Sequence, residues 1–102
     1  GFANSAPYVA AKHGILGLTK TAAMEYAQQG IRVNAVGPAF INTPLLSANL
    51  SPEVMEGLAA LHPMGRIGKP AEVSALTCFL LSNRASFITG SYHLVDGGYT
   101  AP

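Results

Sequence analysis

The sequence predicts an α/β fold in which helices alternate with the strands of a parallel sheet. Residues 4–29 have the pattern of a long helix, and Gly30 leads from it directly into the β-rich run 31–36. A second helix, residues 70–82, is followed by a second β-rich run, residues 88–95. Helix, glycine and strand in immediate succession form the αβ step of a parallel sheet. We therefore expect two parallel strands joined by a crossover that contains a helix.

The long helix has both of its expected ends in the sequence. Asn4 or Ser5 can cap its start, and Gly30 is the residue type that commonly ends a helix. Four- and three-residue spacing places one stripe of side chains on a common face. That stripe consists of Tyr8, Lys12, Ile15, Thr19, Ala22 and Tyr26.

A long connection separates the two predicted strands. Gly37 and Pro38 are expected to end the first strand, and residues 39–64 follow with one predicted helix. Ser51 can cap that helix and Pro52 suits its first position. A long apolar insertion after a parallel strand is typical of a lid, so we call residues 42–64 the lid segment.

The last predicted helix is apolar almost all the way round, which predicts burial on more than one side. Cys78 lies within its apolar run, so we expect a buried thiol. A single cysteine forms no internal disulfide, which favours a reducing compartment such as the cytoplasm. No apolar stretch approaches the length of a membrane span.

The composition indicates more apolar surface than this chain can cover. Of 102 residues, 49% are hydrophobic and 11% are charged, against about 25% charged in a typical soluble domain. We expect the chain to be the C-terminal part of a larger domain or an obligate oligomer, with further strands preceding residue 1. The net charge of +1 and the scattered basic residues argue against nucleic-acid binding.

Tyr8 and Lys12 form the one pair with an evident chemical use. A free tyrosine has a pKa near 10, and a neighbouring positive charge lowers that pKa. At ~4 Å and an effective dielectric near 20, the attraction is about 4 kcal/mol before desolvation, enough for a shift of a few units. Tyr8 could then exchange a proton with an alcohol or ketone oxygen near neutral pH. On spacing alone, a tyrosine packed on the core beside a solvated lysine explains the pair better.

The motifs around this pair occur in a recognisable order. They are Tyr8-x-x-x-Lys12, Gly14, residues 31–36, Gly37-Pro38, Thr43-Pro44, Gly65-Arg66, Pro70, Glu72-Val73, Ile88-Thr89-Gly90 and Val95-Asp96-Gly97-Gly98. This set resembles the C-terminal half of the classical short-chain dehydrogenases/reductases across essentially the whole chain. The resemblance implies a Rossmann-type parallel sheet, NAD or NADP as cofactor, and interconversion of an alcohol and a ketone by hydride transfer.

The resemblance also implies roles for individual residues. Tyr8 would be the general acid/base, while Lys12 would lower its pKa and bind the nicotinamide ribose. Pro38, Ile41 and Thr43 match the loop that contacts the nicotinamide, although Gly precedes Pro38 here and Ala follows it. Thr43 has a second interpretation, as a cap before Pro44. The leucines and methionines of the lid segment would contact an apolar substrate or serve core packing only.

Other elements of that family have no counterpart in these residues. The Gly-rich phosphate turn and the catalytic serine would precede residue 1, and Ser5 lies too close to Tyr8 to replace that serine. The isolated chain is therefore expected to be inactive, and the alternative to an enzyme is a folding or assembly module. The family implies a homodimer or homotetramer, formed through the long helix and the last helix and strand. No metal is expected, because the histidines lack ligand spacing.

Overall fold

Two short parallel strands form the centre of the fold. The computed structural model describes the backbone of residues 6–102 and the side chains from Val9 onward. Helix α1 packs against β1, and helix α4 packs against both strands. In chain order the elements are α1 (Ala6–Tyr26), β1 (Ala35–Pro38), α2 (Pro44–Asn49), α3 (Pro52–Ala60), α4 (Pro70–Leu81) and β2 (Tyr92–Val95).

The end of the long helix is confirmed. After Tyr26 the helix tightens into a 3₁₀ turn, Ala27–Gln29, and Gly30 closes it with a φ of 78°. Its N–H donates to the carbonyl of Ala27 at 3.1 Å. The proposed caps Asn4 and Ser5 lie outside the described residues.

The first strand lies later in the chain than predicted. β1 comprises Ala35–Pro38, so Gly37 and Pro38 belong to the strand and do not end it. They pair in parallel with Leu94 and Val95 of β2. Within the two-stranded sheet of these residues β1 is an edge strand, where a proline, which has no N–H to donate, is tolerated.

Side-chain and backbone hydrogen bonds, without a regular ladder, join the segments that precede the two strands; the Gly90 N–H donates to the Val33 carbonyl at 2.7 Å. Asn34 donates to the carbonyl of Ile88 at 3.0 Å and accepts from the Ser91 N–H at 3.2 Å. Arg32 also donates to the Ile88 carbonyl, at 3.2 Å. Gly90 has a φ of 74°, which interrupts the extended conformation. The prediction of strands over 31–36 and 88–95 was therefore wrong in its first residues.

The lid segment contains two helices where the sequence predicted one. Thr43 and Ser51 cap α2 and α3, accepting the N–H groups of Leu46 and Val54 at 3.3 and 3.2 Å. The two ends of the connection meet in a parallel bridge, in which Asn42 donates to Gly68 at 2.8 Å. The lid segment therefore leaves the sheet and returns to a point next to where it started.

These 102 residues alone do not bury α4 on more than one side. Leu80 is buried, but Leu81 is 78% exposed and Cys78 is exposed too. The two strands of this chain cover only one side of α4, so the expected burial of its other sides needs residues outside these 102 or a second subunit. The chain exposes 7179 Å², whereas a compact monomer of this mass exposes roughly 5,400 Å². Within the described residues, no helix has the length and apolar character needed to cross a membrane.

Candidate active site

Lys12 lies in the first half of α1, one turn after Tyr8. The four-residue spacing places the two backbones on the same face of the helix. The side chain of Tyr8 lies outside the described residues. The Lys12 side chain is half-buried, and its Nζ lies 5.5 Å from the centre of the Tyr92 ring. That separation is within the range of a cation–π interaction.

Tyr92 is a site residue that the sequence interpretation missed. It lies on β2 opposite Ala35, and its hydroxyl is buried without a hydrogen-bond partner among the described residues. A Cβ on Gly37 would overlap that hydroxyl. Glycine within a strand often marks the close approach of another group, and this signal was available in the sequence.

The structure brings Lys12 and Pro38 together but separates them from two other predicted site residues. Lys12 and Pro38 share the walls of two cavities, of about 290 and about 270 Å³. Ile41 and Thr43 line a different, open depression of about 440 Å³ on the lid segment. The predicted nicotinamide loop therefore begins at the cavity of Lys12 and continues onto the lid segment.

Thr43 has the capping role that the sequence left open. Its hydroxyl oxygen accepts the Leu46 N–H at 3.3 Å at the start of α2. A threonine hydroxyl still has its own hydrogen to donate, so the cap leaves it able to donate to a ligand. The contact of Thr43 with a cofactor stays a prediction.

Arg66, two residues after the lid segment, forms an ion pair with Glu72 in the first turn of α4. Its two terminal nitrogens donate to the two carboxylate oxygens of Glu72, each at 2.8 Å. Glu72 also accepts the Lys69 N–H at 2.9 Å in the first turn of α4. These hydrogen bonds, that of Arg66 foremost, lower the pKa of Glu72 to about 2.

A buried histidine that the sequence did not single out lies beside the cavity of Lys12. His62 is 3% exposed, and its Nδ1 is 2.8 Å from the carbonyl oxygen of Leu58. Its ring packs 5.9 Å from Phe40 and 5.2 Å from Tyr99, which both line that cavity. The available signal was its position four residues after Leu58, just past the end of α3.

Asp96 forms a turn with the glycines that follow it. Its carboxylate accepts the Thr100 hydroxyl at 2.7 Å and the Gly98 N–H at 3.1 Å. These bonds, the hydroxyl first, keep the pKa of Asp96 below its ordinary value. Asp96 therefore contributes a fixed negative charge to the wall of the 290 Å³ cavity.

Comparisons with known proteins show which family this chain resembles. A family model described as enoyl-(acyl carrier protein) reductase matches residues 1–100. The chain is 52% identical to cyclohexanol dehydrogenase from Acinetobacter sp. strain SE19, over 99% of this chain and 39% of that protein. It is 50% identical to cis-4-hydroxycyclohexanecarboxylate dehydrogenase from Sinomonas cyclohexanicum, over 99% of this chain and 40% of that protein. The chain thus spans about two fifths of the length of these relatives.

Solved structures place the fold in the same group. A short chain dehydrogenase family protein from Francisella tularensis superposes with a TM-score of 0.89 at 34% identity, covering all of this chain and 46% of that one. ElxO with NADP bound superposes with a TM-score of 0.90 at 36% identity, covering all of this chain and 42% of that one. The parallel sheet is of the Rossmann type. The chain belongs to the short-chain dehydrogenase/reductase family.

Proposed function

We propose that this chain supplies the proton-transfer group and the substrate cover of an NAD- or NADP-dependent oxidoreductase that interconverts an alcohol and a ketone. Residues 1–102 then form the C-terminal part of a single Rossmann-type domain, with residues 42–64 as its lid. The observation that carries the proposal is the half-buried Lys12, one helical turn after Tyr8 and facing a cavity that also includes Pro38.

Tyr8 is the proposed general acid/base. In the oxidation direction its phenolate removes the proton of the substrate hydroxyl, and in the reduction direction its phenol returns that proton to the ketone oxygen. Lys12 keeps the phenolate accessible near neutral pH because a nearby cation stabilises the charged form of tyrosine. Correct positioning of such a group contributes about a hundredfold to ten-thousandfold to the rate.

The donor chemistry of the Lys12 cavity and of the adjoining depression on the lid segment fits a nicotinamide dinucleotide. The Lys12 ammonium has three hydrogens to donate to ribose hydroxyls, and the Thr43 hydroxyl retains one hydrogen for a carboxamide oxygen. Pro38 and Ile41 offer apolar surface to the ring. When bound, the dinucleotide supplies the hydride acceptor or donor. The chain's own residues orient it and transfer the proton.

The proposed substrate is a secondary alcohol on a six-membered carbon ring. Two relatives that are at least 50% identical are named for cyclohexanol and for a hydroxycyclohexanecarboxylate. The depression on the lid segment fits such a ring because leucines line much of it. They are Leu45, Leu46 and Leu50, and Leu45 is 75% exposed.

The proposed assembly is a homodimer or homotetramer. Large apolar side chains remain exposed on α1 and on α4, and a stable subunit interface would cover them. They include Ile15, Leu18 and Met24 on α1, and Phe79 and Leu81 on α4. Sedimentation of the protein expressed from its complete gene is expected to give a dimer or tetramer, and a monomer would contradict this part of the proposal.

Nicotinamide absorbance tests the proposed activity. The protein expressed from its complete gene is mixed with NAD or NADP and with cyclohexanol, an acyclic secondary alcohol or a primary alcohol. We expect reduction of one dinucleotide, fastest with cyclohexanol, and the reverse reaction with cyclohexanone. Absence of turnover with all these substrates in both directions would contradict the proposal and favour a folding or assembly module.

A further inference from the structure

The ring of Tyr92 lies against the ammonium of Lys12 from a different element of the fold. Lys12 belongs to α1 and Tyr92 to β2, which are 80 residues apart in the chain, and Nζ lies 5.5 Å from the ring centre. Lys20 and Lys69, in contrast, have exposed side chains. Lys12 is thus a lysine held at a fixed place against the sheet.

We propose that Tyr92 is a positioning residue that holds the Lys12 ammonium at the active site through the face of its ring. This inference rests on the proposed function of Lys12 and extends it to a residue on β2. A lysine side chain has four rotatable bonds, and an aromatic face opposite its ammonium favours the conformations in which the charge lies over the ring.

The ring, rather than the hydroxyl, carries the proposed role. The Tyr92 hydroxyl is buried and has no hydrogen-bond partner among the described residues, so it contributes no directional contact to Lys12 there. A buried hydroxyl without a partner is unfavourable. Its presence is therefore not explained by hydrogen bonding, and a phenyl ring would offer the same face to the ammonium.

The sheet fixes the ring in place. Tyr92 pairs with Ala35 in the first register position, and its side chain extends along β1 to Gly37. Because Gly37 has no side chain, the ring fits between β1 and α1. Tyr92 and Gly37 both line the 270 Å³ cavity into which Lys12 projects.

Kinetics of two variants separate the ring from the hydroxyl. In the protein expressed from its complete gene, Tyr92→Leu removes the aromatic face and Tyr92→Phe keeps it. We expect Tyr92→Leu to lower kcat on the order of tenfold and to raise KM for the dinucleotide, because Lys12 serves both steps. Tyr92→Phe is expected to retain most of the rate.

The matched control is His93→Leu, on the same strand but on its opposite face. His93→Leu shows how a substitution in β2 affects kcat and KM when the ring of Tyr92 is kept. Loss of folded protein would lower the apparent kcat without changing KM for the dinucleotide, so a raised KM in Tyr92→Leu alone supports positioning. Equal kinetics for Tyr92→Leu and Tyr92→Phe, or for Tyr92→Leu and His93→Leu, would overturn the inference.

A measurement without substrate gives an independent answer. The ring current of Tyr92 should shift the side-chain NMR signals of Lys12 upfield, and the Lys12 signal would be assigned by its disappearance in Lys12→Arg. We expect this shift in the parent and in Tyr92→Phe, and its loss in Tyr92→Leu. A Lys12 signal at the position of exposed lysines in the parent would overturn the inference. Because this test needs no turnover, it separates failure of the Tyr92 role from failure of the proposed reaction.

Discussion

The hydroxyl of Tyr92 occupies the space that a side chain on Gly37 would need. This relationship explains why glycine stands inside β1, where its flexibility is otherwise unfavourable. It also explains how a ring on β2 reaches the lysine of α1. The absence of a side chain at Gly37 therefore leaves room for the Tyr92 ring, and the ring in turn lies against the Lys12 ammonium.

Gly37→Ala is expected to destabilise the protein. The added methyl group would force the Tyr92 ring or the paired strands to move, and overpacking of this kind costs about 1–3 kcal/mol. Urea denaturation measures the loss as a lower midpoint. The matched control is Gly57→Ala in α3, where a Cβ meets nothing within 4 Å, and there we expect a gain of about 0.5–1 kcal/mol. An unchanged midpoint for Gly37→Ala would show that the ring does not need this space.

Asn34→Ala is expected to separate the segments that precede the two strands. The half-buried side chain donates to the Ile88 carbonyl and accepts the Ser91 N–H, and its removal leaves both groups without these partners. Loss of such bonds costs about 1–3 kcal/mol, measurable by urea denaturation. Asn49→Ala is the control, because exposed Asn49 only donates to Leu45 in its own helix. Equal effects of the two substitutions would contradict the bridging role of Asn34.

The ion pair of Arg66 and Glu72 is expected to make stability depend on pH in the acid range. The folded-state pKa of Glu72 is about 2, lowered first by the hydrogen bond from Arg66, against an ordinary value of 4.5. A lowered carboxyl pKa means that the ionised form stabilises the fold above about pH 4.5 and that this contribution disappears between pH 4.5 and 2. NMR titration of the Glu72 carboxyl measures the value directly.

Arg66→Met should bring the Glu72 pKa back towards 4.5 and flatten the pH dependence of stability in that window. Arg84→Met removes the same charge from an exposed position outside this pair and serves as the control. An unchanged Glu72 titration in Arg66→Met would refute the assignment of the shift to this pair.

The sequence predicted the order of the main helices and strands but placed the strand starts too early. Residues 31–36 have a β-rich composition, yet the ladder starts only at Ala35, and the side chains of Arg32 and Asn34 donate to the Ile88 carbonyl before it. Gly90 with its positive φ interrupts the extended conformation before β2. Such contacts between distant residues leave no pattern in the local sequence. Helix α2 did have a local pattern that could have predicted it, because Thr43-Pro44 has the same cap-and-proline arrangement as Ser51-Pro52 at the start of α3.

For the candidate site, the short spacings in the sequence predicted which residues share a helix face, but not which residues of other elements lie beside them. The four-residue step from Tyr8 to Lys12 placed both on one helical face, as the backbone of α1 requires. The position of Tyr92 beside Lys12 depends on how β2 pairs with β1, which follows only from the register. The apolar composition of α4 predicted that the helix is covered on more than one side, but it does not specify what covers it. The cofactor contacts of Pro38, Ile41 and Thr43 stay predictions.

The most direct test of the central claim is turnover by the Tyr8→Phe variant of the protein expressed from its complete gene. Tyr26→Phe, at the other end of α1, makes the same chemical change away from the proposed site. We predict that Tyr8→Phe lowers kcat for cyclohexanol oxidation by about a hundredfold to ten-thousandfold while Tyr26→Phe keeps the parent rate. Equal rates for the two variants would contradict the assignment of Tyr8 as the general acid/base.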